Sequence, residues 1–173
     1  MIGLFSLRLN TTRNYSQNLN NKITLFRFTI IILLLFWCLG ILYSILFSQF
    51  QNKLAEFLFA NLYSTVCHQQ SAKCISIGNE QILVCARCTG IYFGALITAF
   101  SVFYLNKLKI TEKLLLFVLL ILCFDVLAVL IGIYNYSKII SFITGLLFGG
   151  TVYLYLMNEL ENFFFTSINK VIK

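Results

Sequence analysis

Four of the six cysteines in the 173-residue chain lie between positions 67 and 88, as CHQQSAKC (Cys67 and Cys74) and VCARC (Cys85 and Cys88). His68, beside the first of them, is the only histidine. Three kinds of chemistry suit this grouping. The first is a metal site: soft thiolates with an imidazole suit zinc, and a C-x-x-C pair is a common half-site because both sulfurs reach one ion. Cys67, His68, Cys74, Cys85 and Cys88 are the candidate ligands. Neighbouring Cys67 and His68 strain a shared chelate, and Cys74 is able to replace His68. A zinc clip would order a segment too short to hold itself. The second is thiol–disulfide exchange. Cys85-Ala86-Arg87-Cys88 opens a helix, and the helix N-terminus and Arg87 both favour a thiolate. Cys67 and Cys74 would then form a second pair that exchanges with the first. The third is a pair of static disulfides, for which four cysteines allow three pairings.

The elements that position these residues follow from composition. Hydrophobic residues make up 60% of the chain and charged residues 11%, with no proline. Soluble domains are about 45–50% apolar and about 25% charged. The mean hydropathy of +0.87 belongs to a membrane protein. Spans of roughly 20 residues leave no room for a separate soluble catalytic domain. The net charge of +7 is scattered and forms no stripe, so it reads as topology signals flanking membrane helices. The expected partner is the lipid bilayer and not nucleic acid.

Residues 1–24 are polar and rich in Asn, and read as a loose cytoplasmic tail. They are not a secretory leader, since the apolar run that follows is too long and lacks a cleavage site. Spans are expected at about 25–47, 85–105, 113–133 and 138–157, followed by a cytoplasmic tail at 158–173. Between the first two spans, Leu54, Phe57, Leu58, Leu62 and Val66 recur at helical spacing, with Lys53, Glu56 and Asn61 on other faces. This predicts an amphipathic helix over 49–66, lying at the membrane surface. Residues 67–84 form the one long loop, with Gly78-Asn79 as its turn. Lys73, Gln69, Gln70 and Glu80 read as solvated groups on it. The fold class is therefore an all-α integral membrane protein with four transmembrane helices, an interfacial helix and a Cys/His-containing loop.

With the N-terminus inside, nine basic residues (Arg8, Arg13, Lys22, Arg27, Lys107, Lys109, Lys113, Lys170 and Lys173) lie on the inner side. Four (Lys53, Lys73, Arg87 and Lys138) lie on the outer side. The positive-inside rule then puts both termini in the cytoplasm and the cysteine loop outside the cell membrane. That compartment is oxidising, which disfavours a set of unrelated free thiols. Cys38 and Cys123 lie in spans and read as small apolar packing residues.

The string CHQ at 67–69, followed by CARCTGIY at 85–92 and TGLLFG at 144–149, resembles the DUF2085 family of prokaryotic membrane proteins. That family is marked by CHQ and CxRC motifs leading into a glycine-rich span. The resemblance covers roughly residues 54–150 and implies Cys67, His68, Cys85 and Cys88 as the ligand set, without implying a reaction. Leu83 stands where the family usually has a proline, Ser141 where it has an arginine, and Cys74 is additional. In layout the chain is also similar to quinone-linked disulfide-generating membrane proteins, which have four helices and a C-x-x-C at the outer end of a span. Under that alternative a quinone would sit against Trp37 or Phe93.

Ala86, Gly90, Gly94 and Thr98 recur every four residues on the second span, and Ser141, Gly145 and Gly149 on the fourth. Small residues at this spacing let helices approach closely in lipid, so these two helices should touch. Asp125 is the one acid deep in a span, just past the middle toward the outer side. Burying it requires a partner or a proton. Arg87, Tyr92, Ser141 and Thr144 are candidates, and a structural clamp is favoured over a proton path. No phosphate loop, hydrolase triad or catalytic carboxylate pair is present. The sequence thus favours a non-enzymatic membrane protein with an outward zinc or disulfide site. The alternatives are a thiol oxidoreductase using Cys85 and Cys88, and a small proton-coupled transporter using Asp125. It leaves the substrate and the oligomeric state open.

Overall fold

The computed structural model describes residues 2–46, 53–77, 80–105 and 111–172, the side chains of 2–20, 105 and 164–172 excepted. Helix α1 spans Ile2–Ile41, α2 Tyr43–Leu46, α3 Lys53–Ser64, α4 Ala86–Leu105, α5 Glu112–Leu130 and α6 Lys138–Ile172. Strands β1 (Cys74–Ile77) and β2 (Glu80–Cys85) form a hairpin between α3 and α4. Four segments are long and apolar enough to cross a membrane: Asn21–Ile41, Ala86–Tyr104, Glu112–Leu130 and Lys138–Phe163. The chain is a multi-pass membrane protein.

The expected spans shift in physical detail. The N-terminal segment is not a loose tail from position 2 onward, because α1 runs through it without a break. Its lone glycine, Gly3, stands at the helix start and no proline follows. A helix nucleated in the apolar stretch therefore propagates outward. The 158–172 segment extends α6 for the same reason: nothing after Gly150 interrupts it. Helix α5 ends at Leu130 instead of 133 because Gly132 adopts φ +80°. Gly132 N–H donates to Val129 O and Ile133 N–H to Ala128 O, at 3.2 and 2.9 Å. These two bonds form a Schellman stop, which requires the left-handed backbone that glycine allows.

The segment expected as a loop is a hairpin. Alternation in EQILVC leaves Ile82 and Val84 buried, and β-branched residues on both strands suit a pleated surface. Cys74 pairs with Cys85, Ser76 with Gln81 and Ile77 with Glu80, with an irregularity after Cys74. The Gly78-Asn79 turn lies outside the described residues. The interfacial helix α3 is described from Lys53. Leu54, Phe57, Leu58 and Leu62 are exposed on it, as a membrane-surface face would be. On the protein side, Tyr63 is buried and its hydroxyl donates to Trp37 O at 2.8 Å. Gly40 is required there, since a Cβ would strike the Tyr63 hydroxyl.

Helices α4 and α6 pack backbone to backbone. A Cβ on Gly94 would land on the Leu146 carbonyl, and one on Gly149 on the Ile91 carbonyl. Gly90 faces the Phe142 carbonyl and Gly145 the Arg87 carbonyl in the same way. Further along, Ile31 of α1, Ala99 and Val102 of α4, and Tyr153 and Met157 of α6 form a buried cluster. At that end of the bundle Arg27 is ion-paired to Glu161. Cys38 is buried in α1, but Cys123 is exposed on α5 and is not part of the packed core.

Gly94→Leu and Gly145→Leu are expected to cost at least the 1–3 kcal/mol or so typical of overpacking, read as lost folded yield and a lower unfolding temperature in detergent. Ile97→Leu, on an exposed face of the same helix, should be neutral. Equal behaviour of all three would contradict the close packing.

Candidate metal centre

Three separate elements deliver sulfur to one point. Helix α3 closes with Val66 and Cys67 N–H both donating to Tyr63 O, at 3.1 and 3.0 Å. This leaves the Cys67 thiol buried beneath the hairpin, beside Ile41, Tyr63, Ile82 and Val84. The chain then reverses through Gln69, whose φ of +48° is unusual for a side-chain-bearing residue. The reversal is held by Gln69 Nε2 donating to Ala60 O at 2.9 Å. A short 3-10 turn (Ser71–Lys73) leads into β1. Strand β2 ends at Cys85, and α4 begins at the next residue with Cys88 in its first turn.

Among the described residues, the sulfurs of Cys67, Cys85 and Cys88 all lie within 4.8 Å of one another. Cys85 N–H donates to Cys67 Sγ at 3.2 Å. None of the six cysteines is in a disulfide. Cys74 sits across the ladder from Cys85, buried, and is not part of the converging group. His68 is exposed and outside the group, but it lines the same pocket. The candidate set read from the sequence thus separates. Three members come together, Cys74 stands on the neighbouring strand and His68 on the rim. The exchange scheme pairing Cys67 with Cys74 is rearranged too, since Cys67 joins the C-x-x-C.

The electrostatics of the trio come from the start of α4. Cys88 Sγ–H and the backbone N–H groups of Cys88 and Arg87 all favour the Cys85 thiolate, with the Cys88 thiol contributing most. The Cys85 pKa is pulled from the ordinary 9.0 down to about 5, against the opposing effect of burial. Cys74 moves the other way, upward, chiefly because it is buried and also because Cys67 and Cys85 lie near it. These donors fit a thiophilic ion. A tetrahedral zinc with Zn–S bonds of about 2.3 Å needs sulfurs about 3.8 Å apart. Closing from the present spacing takes shifts on the order of 1 Å.

An open pocket of about 420 Å³ adjoins the trio. Its lining includes Ser64, Thr65, Gln69, Gln70, Lys73 and Arg87 besides the three cysteines and His68. Lys73 sits 5.8 Å from the ring centre of Tyr136. Gln69, tied to Ala60, and Glu80, which accepts from Ser44 Oγ at 3.4 Å, are more enclosed than solvated surface groups. On the bundle side of the trio, Trp37 packs edge-on to Tyr63 at 4.9 Å and against Tyr92 at 5.7 Å. Phe93 is half-buried on α4.

Arg87 faces away from the trio. Its guanidinium pairs with Asp125 of α5 at 2.6 Å and donates to Ser141 of α6 at 3.2 Å. Tyr134 donates to the other Asp125 oxygen. Asp125 is 5% exposed, so both its oxygens are satisfied where water is scarce. Of the other candidate partners, Thr144 instead bonds the Ile140 and Ser141 carbonyls of its own helix, and Tyr92 packs on Trp37. Tyr134 was missed from the sequence. The signal was Gly132, whose helix-stopping turn folds the chain back so that Tyr134 returns over Asp125.

The fold and this cluster define a multi-pass membrane protein with a cysteine trio at one helix mouth. The family described as "Predicted membrane protein (DUF2085)" matches residues 67–155, and the chain belongs to it. It is 35% identical over 114 residues to an uncharacterized protein, MJ1492, of Methanocaldococcus jannaschii, covering 64% of this chain and 72% of the relative. It is 33% identical over 84 residues to an uncharacterized protein of Methanothermobacter thermautotrophicus, covering 47% of this chain and 75% of that one. No solved structure matches.

Two outcomes follow. In reduced, metal-free protein, alkylation of Cys85 should rise with a midpoint near pH 5, because the thiolate is the nucleophile. In Cys88→Ala the midpoint should move up toward 9, and an unshifted midpoint would contradict the hydrogen-bond cause. Asp125→Ala leaves the half-buried Arg87 guanidinium without its counter-ion and should cost up to about 3 kcal/mol in detergent unfolding, the lower end for a fully buried pair. Asp125→Asn, which keeps one acceptor, should lose clearly less. Equal losses would remove the ion pair as the stabilising contact.

Proposed function

We propose that the protein is a membrane-anchored zinc-binding protein whose ion is held by Cys67, Cys85 and Cys88 on the outer face of the cell membrane. The observation that carries this reading is the convergence of three sulfurs from separate elements, two of them eighteen residues apart in the chain, on the wall of an open pocket. The N–H groups at the start of α4 and the Cys85 N–H already point at sulfur. They offset the negative charge that thiolate ligation concentrates. When bound, the ion would tie α3, the hairpin and α4 together. The outward orientation is supported by the excess of basic residues on the opposite side of the spans.

A second reading, thiol–disulfide exchange at Cys85 and Cys88, is favoured by one specific observation. The lowered Cys85 pKa makes it a ready nucleophile, with Cys88 or Cys67 as the resolving thiol. Proton-coupled transport through Asp125 has less support, because its two oxygens are taken by Arg87 and Tyr134. The bound Arg87 instead supports a structural clamp.

Elemental analysis of protein purified without added metal should give one zinc per chain. Cys67→Ala, Cys85→Ala and Cys88→Ala should each lose about 10-fold or more in zinc affinity, the scale on which even supporting contacts matter, while Cys74→Ala retains it. Metal-free protein with a reversibly oxidised Cys85–Cys88 pair would replace the zinc reading with the exchange reading.

A further inference from the structure

Resting on the zinc reading, we infer that the ion's fourth position is open to the pocket and takes a small anionic donor from solution, a thiolate or carboxylate carried by a small solute. Structural zinc sites are closed by four protein ligands, whereas sites that meet a substrate keep one position free. Among the described residues only three donors converge. The two further side chains able to close the set are outside the converging group: Cys74 is buried on β1 beside Cys85, and His68 is exposed on the rim. All three sulfur-bearing residues line the pocket wall, so an ion among them faces a volume of about 420 Å³, ample for a small solute.

The rest of the lining sets the sign. Among the described residues, Lys73 and Arg87 are its formally charged groups, both cationic, and no carboxylate lines it. Ser64, Thr65, Gln69 and Gln70 add neutral hydrogen-bonding capacity. Zinc with three thiolates carries one net negative charge. Arg87 is balanced by Asp125, and Lys73 restores neutrality at the rim. A singly charged donor therefore enters without net repulsion, and a cationic one is disfavoured.

Cobalt(II) substitution of the purified protein tests this, because its visible bands report the coordination sphere while sulfur charge-transfer bands report thiolate ligation independently. With thiocyanate as the probe, saturable shifts of the visible bands are expected. His68→Ala and Cys74→Ala should leave the starting spectrum unchanged, and Lys73→Glu should weaken the thiocyanate response several-fold while preserving cobalt binding. Cobalt bound through sulfur but insensitive to thiocyanate, with a spectrum altered by His68→Ala or Cys74→Ala, would overturn the open position alone. Absence of sulfur charge-transfer bands would remove the zinc reading and the open position together.

Discussion

In a bilayer, the apolar side chains of α4 and α6 gain little by leaving lipid for one another, so burial of hydrophobic surface does not hold these helices together. Close approach of their backbones does. Gly90 and Gly94 meet the carbonyl side of α6, and Gly145 and Gly149 that of α4, at points where any side chain would collide. Everything at the mouth of the bundle inherits its position from this contact. The first turn of α4 carries Cys88 and Arg87, and the first turn of α6 carries Ser141. Only when the two helices lie this close does Arg87 reach both Ser141 and Asp125.

Cys85-Ala86-Arg87-Cys88 then works as a two-sided connector. The cysteines turn toward the pocket and Cys67, while the arginine turns into the bundle. Ala86 between them is fully buried. Asp125 of α5, itself held by the Tyr134 hydroxyl from beyond the helix end, grips the arginine, so α5, whose other side chains are largely exposed and apolar, is fastened to the sulfur site by polar contacts. The aromatic trio of Trp37, Tyr63 and Tyr92 supports the same joint from α1 and α3. A burial of polar groups this deep is tolerated because each Asp125 oxygen has a donor.

Much of the fold was legible in the sequence because lipid imposes a simple code. Uninterrupted apolar runs marked the four spans, and four-residue spacing of small residues marked the α4–α6 contact. Span ends were less legible where a single backbone preference decided them, as at Gly132, whose left-handed turn shortens α5 and recruits Tyr134. The hairpin was hidden by the polar residues and cysteines that interleave with Ile75, Ile77, Ile82 and Val84, so the alternation was brief. That hairpin in turn decides the site. By placing Cys74 across from Cys85 and leaving His68 on the rim, it separates five candidate ligands into a trio and two bystanders. Sequence spacing alone does not make that division, because it depends on how the hairpin and the start of α4 bring the sulfurs together in space.

The central claim is that Cys67, Cys85 and Cys88 form one thiophilic site, and zinc K-edge X-ray absorption on the detergent-purified protein tests it most directly. The account predicts three sulfur scatterers at about 2.3 Å and one lighter atom at about 2.0–2.2 Å. A first shell containing two sulfurs or fewer, or a protein that retains no zinc at all, would contradict it.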